Sequence, residues 1–419
     1  GGGAVAAALV QALMAALTAA ALYAWGARYV SPRAGLLAAA LWLGNPMIVF
    51  LATNAYIDLG LTCFATLAGL ALGSAWRARD DRWILVAAAL AGCAAGCKYL
   101  GLPLVALFGL CVPLVATRRW RAALAYGAVA LAVLLPWYVY NFVHTHNPVF
   151  PFAARWFGTG PWNAEDLALQ LTDMRSFGVG KSVRAIALLP WTLTVAQSRF
   201  LCEAPFVPLF LPLLLLALWG AWVDRLVRAL VVVVLAYGLF WAGSMQLLRY
   251  VVPASALLSL AVAASADRLL PPRLMRVALP LVVAPALVYA LAQLRDGLPV
   301  TATSRDAYLA RKLPAYTALS WLNRNAGPGY RAYGLRLERM AYFADGTLMG
   351  DWFGPARYRE IYARLGDAAA LASYLRGLGA QYFIVPAAEV PLSQWRAPGY
   401  GERFALVDVT ADVALLRLR

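Results

Sequence analysis

The feature that most constrains this chain is a succession of apolar runs, each close to the length needed to cross a bilayer. They lie near residues 4–27, 34–52, 56–76, 83–97, 100–117, 122–142, 205–223, 229–245, 249–266 and 276–294. A helix rises about 1.5 Å per residue, so roughly 20 apolar residues match the ~30 Å hydrocarbon core. Hydrophobic residues make up 63% of the 419 and charged ones 13%, and the mean hydropathy is +0.67. That composition overrides the two or three soluble domains that length alone would suggest. The expected fold is a polytopic α-helical membrane protein of about ten membrane segments. The fourth and fifth runs are short and joined by Lys98-Tyr99-Leu100-Gly101, which leaves a re-entrant pair as an alternative to two spans.

A net charge of +16 suits either a nucleic-acid or a membrane partner, and the positions of the arginines decide between them. Arg28, Arg33, Arg77, Arg79, Arg82, Arg118, Arg119, Arg121, Arg225, Arg228, Arg268, Arg273 and Arg276 fall in one alternate set of short loops. The other set holds almost no cations apart from Lys98 and Arg249. The partner is therefore membrane lipid, with no nucleic acid. By the positive-inside rule the arginine-rich set is cytoplasmic. Asp58, Lys98, the loop 143–204, Arg249 and the tail after 295 then share the outer side, as does Gly1, a placement that a helix upstream of Gly1 would ease. A signal peptide fits poorly, because no basic region precedes the first run. The five cysteines, Cys63, Cys93, Cys97, Cys111 and Cys202, lie in or beside apolar runs, so no disulfide framework is expected. Cys93 and Cys97 are one turn apart but have no His or carboxylate beside them, and read as packing residues rather than metal ligands.

Two domains follow: a transmembrane domain over 1–294 with the outer loop 143–204, and a small soluble α/β domain over 295–419, outside the membrane. In the tail, 306–325 suits an amphipathic helix, 367–378 another, Gln381–Val385 a buried strand, and 406–409 with 413–416 a hairpin. The loop 143–204 mixes charges, among them Glu165, Asp173, Arg199 and Glu203, with aromatics such as Trp156 and Trp191. That mix suits a functional loop or a connector lying on the membrane surface. Pro136, Pro148 and Pro151 are expected to take the chain out of the helix around 136–152, where the aromatics suit the bilayer–water interface.

Few residues can carry chemistry. Asp58 stands near the outer end of an apolar run, where a carboxylate costs roughly 2.5–3.5 kcal/mol at a helix centre and so faces a cavity or a partner. A helix N-terminus would relieve that cost without any functional role. Lys98, after the small-residue run Ala91–Cys97, and Arg249 either snorkel or meet an anion. Together they suit a phosphate head group, Arg through its fork of donors and Lys as a point charge. His144 and His146 are the only histidines. In an extended segment their rings would point apart, so substrate contact, acid–base work or interface packing is favoured over shared metal ligation.

Four stretches in this order carry a resemblance: Ala55-Tyr56-Ile57-Asp58-Leu59, Ala95-Gly96-Cys97-Lys98-Tyr99, Pro136–Asn141 with Asn147–Pro151, and Leu248-Arg249-Tyr250-Val251-Val252-Pro253. The chain resembles the C-type integral-membrane glycosyltransferases, in particular the bacterial protein-O-mannosyltransferase and lipid A aminoarabinose transferase group. His146 departs from the group's pattern, which has Gly before Asn-Pro. The resemblance implies an inverting transfer of a sugar from a polyprenyl-phosphate carrier to a lipid, glycan or protein acceptor, at the outer face of the bacterial inner membrane. It implies a principal catalytic carboxylate in a first outer loop, expected here upstream of Gly1, with Asp58 the alternative within the chain. Lys98 and Arg249 would offset charge on the leaving phosphate, and Tyr99, Asn141, His144, His146 and Tyr250 would line the substrate site. No cofactor is called for, and a divalent metal is left open. The rival class is a non-catalytic transporter or lipid-carrier scaffold, which inverted repeats would favour; no internal repeat is visible.

Overall fold

A computed structural model describes residues 2–200, 203–296, 300–313, 315–351, 358–409 and 412–419, so Cys202 lies outside the described residues. The chain divides into two compact units: Gly1–Asn163 with Leu171–Arg295, and Ala164–Gln170 with Asp296–Arg419.

The first unit is helical. Its helices are α1 (Gly2–Tyr29), α2 (Pro32–Leu43), α3 (Pro46–Ala52), α4 (Asp58–Ala78), α5 (Arg82–Cys97), α6 (Leu102–Val115) and α7 (Arg119–Thr145). Short helices follow: α8 (Ala154–Phe157), α9 (Ala164–Ser176), whose residues Ala164–Gln170 are counted in the second unit, α10 (Val183–Ala187) and α11 (Leu189–Val195). Then come α12 (Phe210–Val223), α13 (Arg225–Gly243), α14 (Val252–Leu269) and α15 (Pro272–Gln293). Each of the ten apolar runs falls on helix. Among the described residues, six helices are long and apolar enough to cross a membrane, and a seventh span appears if α2 and α3, bent by 70°, are taken together. The helices Arg82–Cys97, Tyr99–Val115 and Phe210–Val223 are apolar but shorter. Run length overstated helix length because Pro46 starts a new helix at the α2–α3 bend and α12 begins only at Phe210.

Small residues set the packing. Ala65, Ala68 and Ala75 of α4 and Ala87, Ala91 and Ala94 of α5 are buried, which lets backbones approach where lipid gives helices no hydrophobic reason to associate. α14 is buried along most of its length, whereas α15 keeps most of its surface outward. Where α15 crosses the α2–α3 bend, a Cβ on Gly44 would lie 1.9 Å from the Val282 carbonyl oxygen, so only glycine permits that crossing.

The expectation that Pro136 ends a helix is corrected: α7 runs through it to Thr145. A proline removes one ladder bond, which a helix among neighbours tolerates. The chain leaves the helix at His146, in the left-handed region at φ 57°. Buried Asn147 then organises the corner, donating to the Phe152 carbonyl at 2.7 Å and accepting from the Val149 amide at 2.9 Å.

The second unit holds α16 (Ala302–Lys312), α17 (Tyr316–Asn325), β1 (Arg331–Gly334), β2 (Thr347–Met349), α18 (Arg359–Tyr362), α19 (Ala368–Gly377), β3 (Tyr382–Pro386), α20 (Tyr400–Arg403), β4 (Phe404–Val409) and β5 (Val413–Leu418). The sheet order is β2-β1-β3-β5-β4, with β2, β1 and β3 parallel, and β5 antiparallel to both β3 and β4. Phe383, Val385 and Leu416 face one core with Leu371 and Leu375 of α19. Ile384 and Leu415 face another with Leu319 and Leu322 of α17. Helices on both faces explain why β3 is apolar throughout rather than alternating. The single helix expected over 306–325 is two, broken at Leu313, whose extended φ −121°, ψ 113° suits the residue before a proline. Glu165 receives a bidentate bond from Arg359 at 2.8 and 3.0 Å within this same unit.

Candidate functional site

The first unit gathers two acids and two cations from distant parts of its chain. Asp58 opens α4 and is 3% exposed, its Oδ1 accepting from Lys98 Nζ at 3.0 Å. Lys98 is extended, at φ −165°, ψ 148°, between α5 and a 3₁₀ turn over Tyr99–Gly101. That turn folds back on the last turn of α5: a Cβ on Gly101 would come within 2.4 Å of the Ala94 carbonyl. Arg249 sits in a second 3₁₀ turn, Leu248–Val251, directly ahead of α14. One arm of its guanidinium donates to Glu203 Oε1, and its Nε lies 4.0 Å from Asp58 Oδ2.

Aromatic rings surround the charges. Lys98 Nζ stands 4.1 Å from the Tyr250 ring centroid, and the Arg249 guanidinium 4.7 Å from that of Tyr56 and 5.5 Å from that of Tyr250. Tyr56 also donates to Glu203 Oε1 at 3.3 Å. Such faces attract cations while keeping lipid away from them. Two cations and two carboxylates are formally neutral together, but the bonding is incomplete. Asp58 Oδ2 and Arg249 Nε are both buried and without a hydrogen-bond partner among the described residues. At 4.0 Å they are too far apart to bond each other. A hydroxyl oxygen between them would accept from Nε and donate to Oδ2, satisfying both.

Asp58, Lys98, Arg249 and Tyr250 thus come together. Tyr99 and Asn141 gather at the 146–152 corner instead: Asn141 donates to Tyr99 Oη at 2.8 Å, and Tyr99 donates to the Phe150 carbonyl at 2.9 Å. His144 is in the last turn of α7 with its ring 4.3 Å from Tyr140, and His146 caps the helix beside Phe142; both are exposed. The extended segment assumed for this pair is helix and cap. Among the described residues no group of three or more His, Cys, Asp and Glu side chains gathers to hold a metal ion. Sequence reasoning did not single out Glu203 or Tyr56. Glu203 had a signal of its own, a carboxylate at the threshold of the apolar run from 205.

Fold and site define a multi-pass helical membrane protein with a charged, aromatic-walled cluster at one end of its bundle. Residues 1–140 match the family model described as dolichyl-phosphate-mannose-protein mannosyltransferase, and residues 304–417 match one described as SF2091/S2213. ArnT from Cupriavidus metallidurans has a similar structure. Bound to undecaprenyl phosphate it aligns at a TM-score of 0.57 and 16% identity, and in the apo state at 0.62 and 15%, covering 98% of this chain and 83% of ArnT in each case. The Archaeoglobus fulgidus oligosaccharyltransferase, in complex with Zn and sulfate, aligns at 0.55 and 16% identity over 91% of this chain and 56% of that one. No curated protein matches in sequence. The fold is that of the C-type integral-membrane glycosyltransferases, and the chain resembles their protein-O-mannosyltransferase and ArnT group.

Proposed function

We propose that this protein transfers a sugar, with inversion, from a polyprenyl-phosphate carrier to a hydroxyl acceptor at the outer face of the bacterial inner membrane, the 295–419 domain lying on that side. The observation that carries the reading is the unsatisfied pair, Asp58 Oδ2 and Arg249 Nε, 4.0 Å apart beside a lysine. An acceptor hydroxyl seated there gives its proton to Asp58 as its oxygen attacks the anomeric carbon. The carbon–phosphate-oxygen bond breaks, and its electron pair stays on the departing polyprenyl phosphate. That phosphate gains one negative charge as Asp58 loses one, so the local total is unchanged. Lys98 and Arg249 stabilise the charge where it develops, in surroundings where it counts for more than in water. Glu203 holds Arg249 in place between turnovers, and Tyr56 and Tyr250 wall the sugar. Tyr99 and Asn141 act through the corner they fasten, with His144 and His146 at its rim. The acceptor is a lipid, a glycan or a protein.

The test is envelope glycan and lipid analysis of a deletion strain, followed by turnover of the accumulated polyprenyl-phosphate sugar by purified protein in proteoliposomes. One lost linkage, restored by the wild-type gene and not by Arg249→Gln, is expected. An unaltered set of linkages would contradict the reading.

A further inference from the structure

At the other end of the bundle from Asp58 lies a second charged feature that the transfer reaction does not use. α4 runs from Asp58 to Ala78, about 30 Å at 1.5 Å per residue, and both α2 and α15 start at the end where α4 finishes. Between α2 and α15 is a cavity of about 420 Å³ lined by Arg33, Leu36 and Leu37 on one side and by Met275, Arg276 and Leu279 on the other. We infer that this cavity binds an anionic phospholipid, Arg33 and Arg276 holding the head-group phosphate and the leucines and methionine receiving the upper acyl chains.

Four observations carry this. The two guanidinium groups come from different helices to one cavity, and neither has an anionic partner among the described residues. Guanidinium forks match phosphate oxygens, and both helices present their N-terminal, positive ends here. Below the arginines the wall is apolar, which favours a lipid over a soluble phosphate. Finally, α15 keeps most of its length outward, so the cavity opens sideways to the bilayer rather than to water alone. Basic pockets between membrane helices bind lipid head groups by this combination.

The experiment is native mass spectrometry of the full chain in mild detergent, titrated with phosphatidylglycerol and, separately, phosphatidylcholine. Wild type is expected to retain phosphatidylglycerol in preference. Each of Arg33→Gln and Arg276→Gln should weaken retention about fivefold, and both together roughly thirtyfold. Leu279→Trp, which fills the cavity and leaves both charges, should also displace the lipid, so the test does not depend on the folding of the charge variants. Arg225→Gln, at the same end but outside this cavity, should change nothing. Retention unchanged in the double variant or in Leu279→Trp would overturn the inference. So would equal loss in Arg225→Gln, or displacement of the lipid by millimolar inorganic phosphate, which would mark a soluble-anion site.

Discussion

Lys98 Nζ donates to Asp58 Oδ1 at 3.0 Å across 40 positions of sequence, joining the extended link after α5 to the first turn of α4. Asp58 is 3% exposed, so it depends on this bond and on the neighbouring Arg249 for its charge. Lys98→Ala should therefore destabilise the bundle by about 3 kcal/mol, the lower end for breaking a buried pair. Adding Asp58→Asn, which removes the stranded charge, should recover much of the loss. Unfolding in detergent–denaturant mixtures measures both, and equal stability of the single and double variants would show that the pair is not coupled.

Asp58→Asn alone should separate binding from chemistry. The amide keeps the shape but cannot take a proton, so turnover should drop by about 10²–10⁴ with little change in the KM for the donor. Wild-type turnover would assign Asp58 a purely structural role at the helix N-terminus.

Gln246, 1% exposed, uses every polar atom it has. Its Oε1 accepts from the Val179 amide, and its Nε2 donates to the carbonyls of Gly180 and Ala242. It pins the 178–180 segment to the link that carries Arg249. Gln246→Leu leaves those groups unpaired, at about 1–3 kcal/mol each. Amide exchange at 178–180 should accelerate, and turnover should fall while Asp58 and Arg249 are untouched. Unchanged exchange would show that the pin carries no weight.

Acid should loosen the opposite end only below the ordinary carboxylate range. Asp81 accepts from the amides of Thr117 and Arg118 and from the Thr117 hydroxyl. The Thr117 amide bond, followed by the hydroxyl bond, holds its carboxyl below the ordinary value of 3.8. A depressed folded value means that the contribution is fully present above the ordinary value and is lost as pH falls through the lower one. Protection of the Thr117 and Arg118 amides, measured against their intrinsic exchange rates, should fall in that window below 3.8, and in Asp81→Ala it should be lower throughout and show no such transition.

The helical bundle was legible in the sequence because most apolar runs are long enough to be read alone, the short fourth and fifth excepted, and Asp58, Lys98 and Arg249 stood out because charge is scarce near lipid. What could not be read depends on partners distant in sequence. Glu203 looked like one of several loop charges until Arg249, 46 positions on, supplied its reason. Asn141 and Tyr99 looked like site residues, yet their polar atoms fasten the corner, a bond across 42 positions. Pro136 signalled a helix end by local rules that the surrounding helices override. In the second unit β3 and the β4–β5 hairpin were visible, whereas β1 and β2, of four and three residues, are too short to carry a period.

The most direct measurement is the affinity of the full chain, in proteoliposomes, for undecaprenyl phosphate, a probe that needs no knowledge of the sugar. If Lys98 and Arg249 receive the carrier phosphate, each charge-assisted bond contributes about 1.5–3 kcal/mol, and Lys98→Gln with Arg249→Gln should weaken binding by at least about a hundredfold. Equal affinity in the folded double variant would contradict a phosphate site at this cluster.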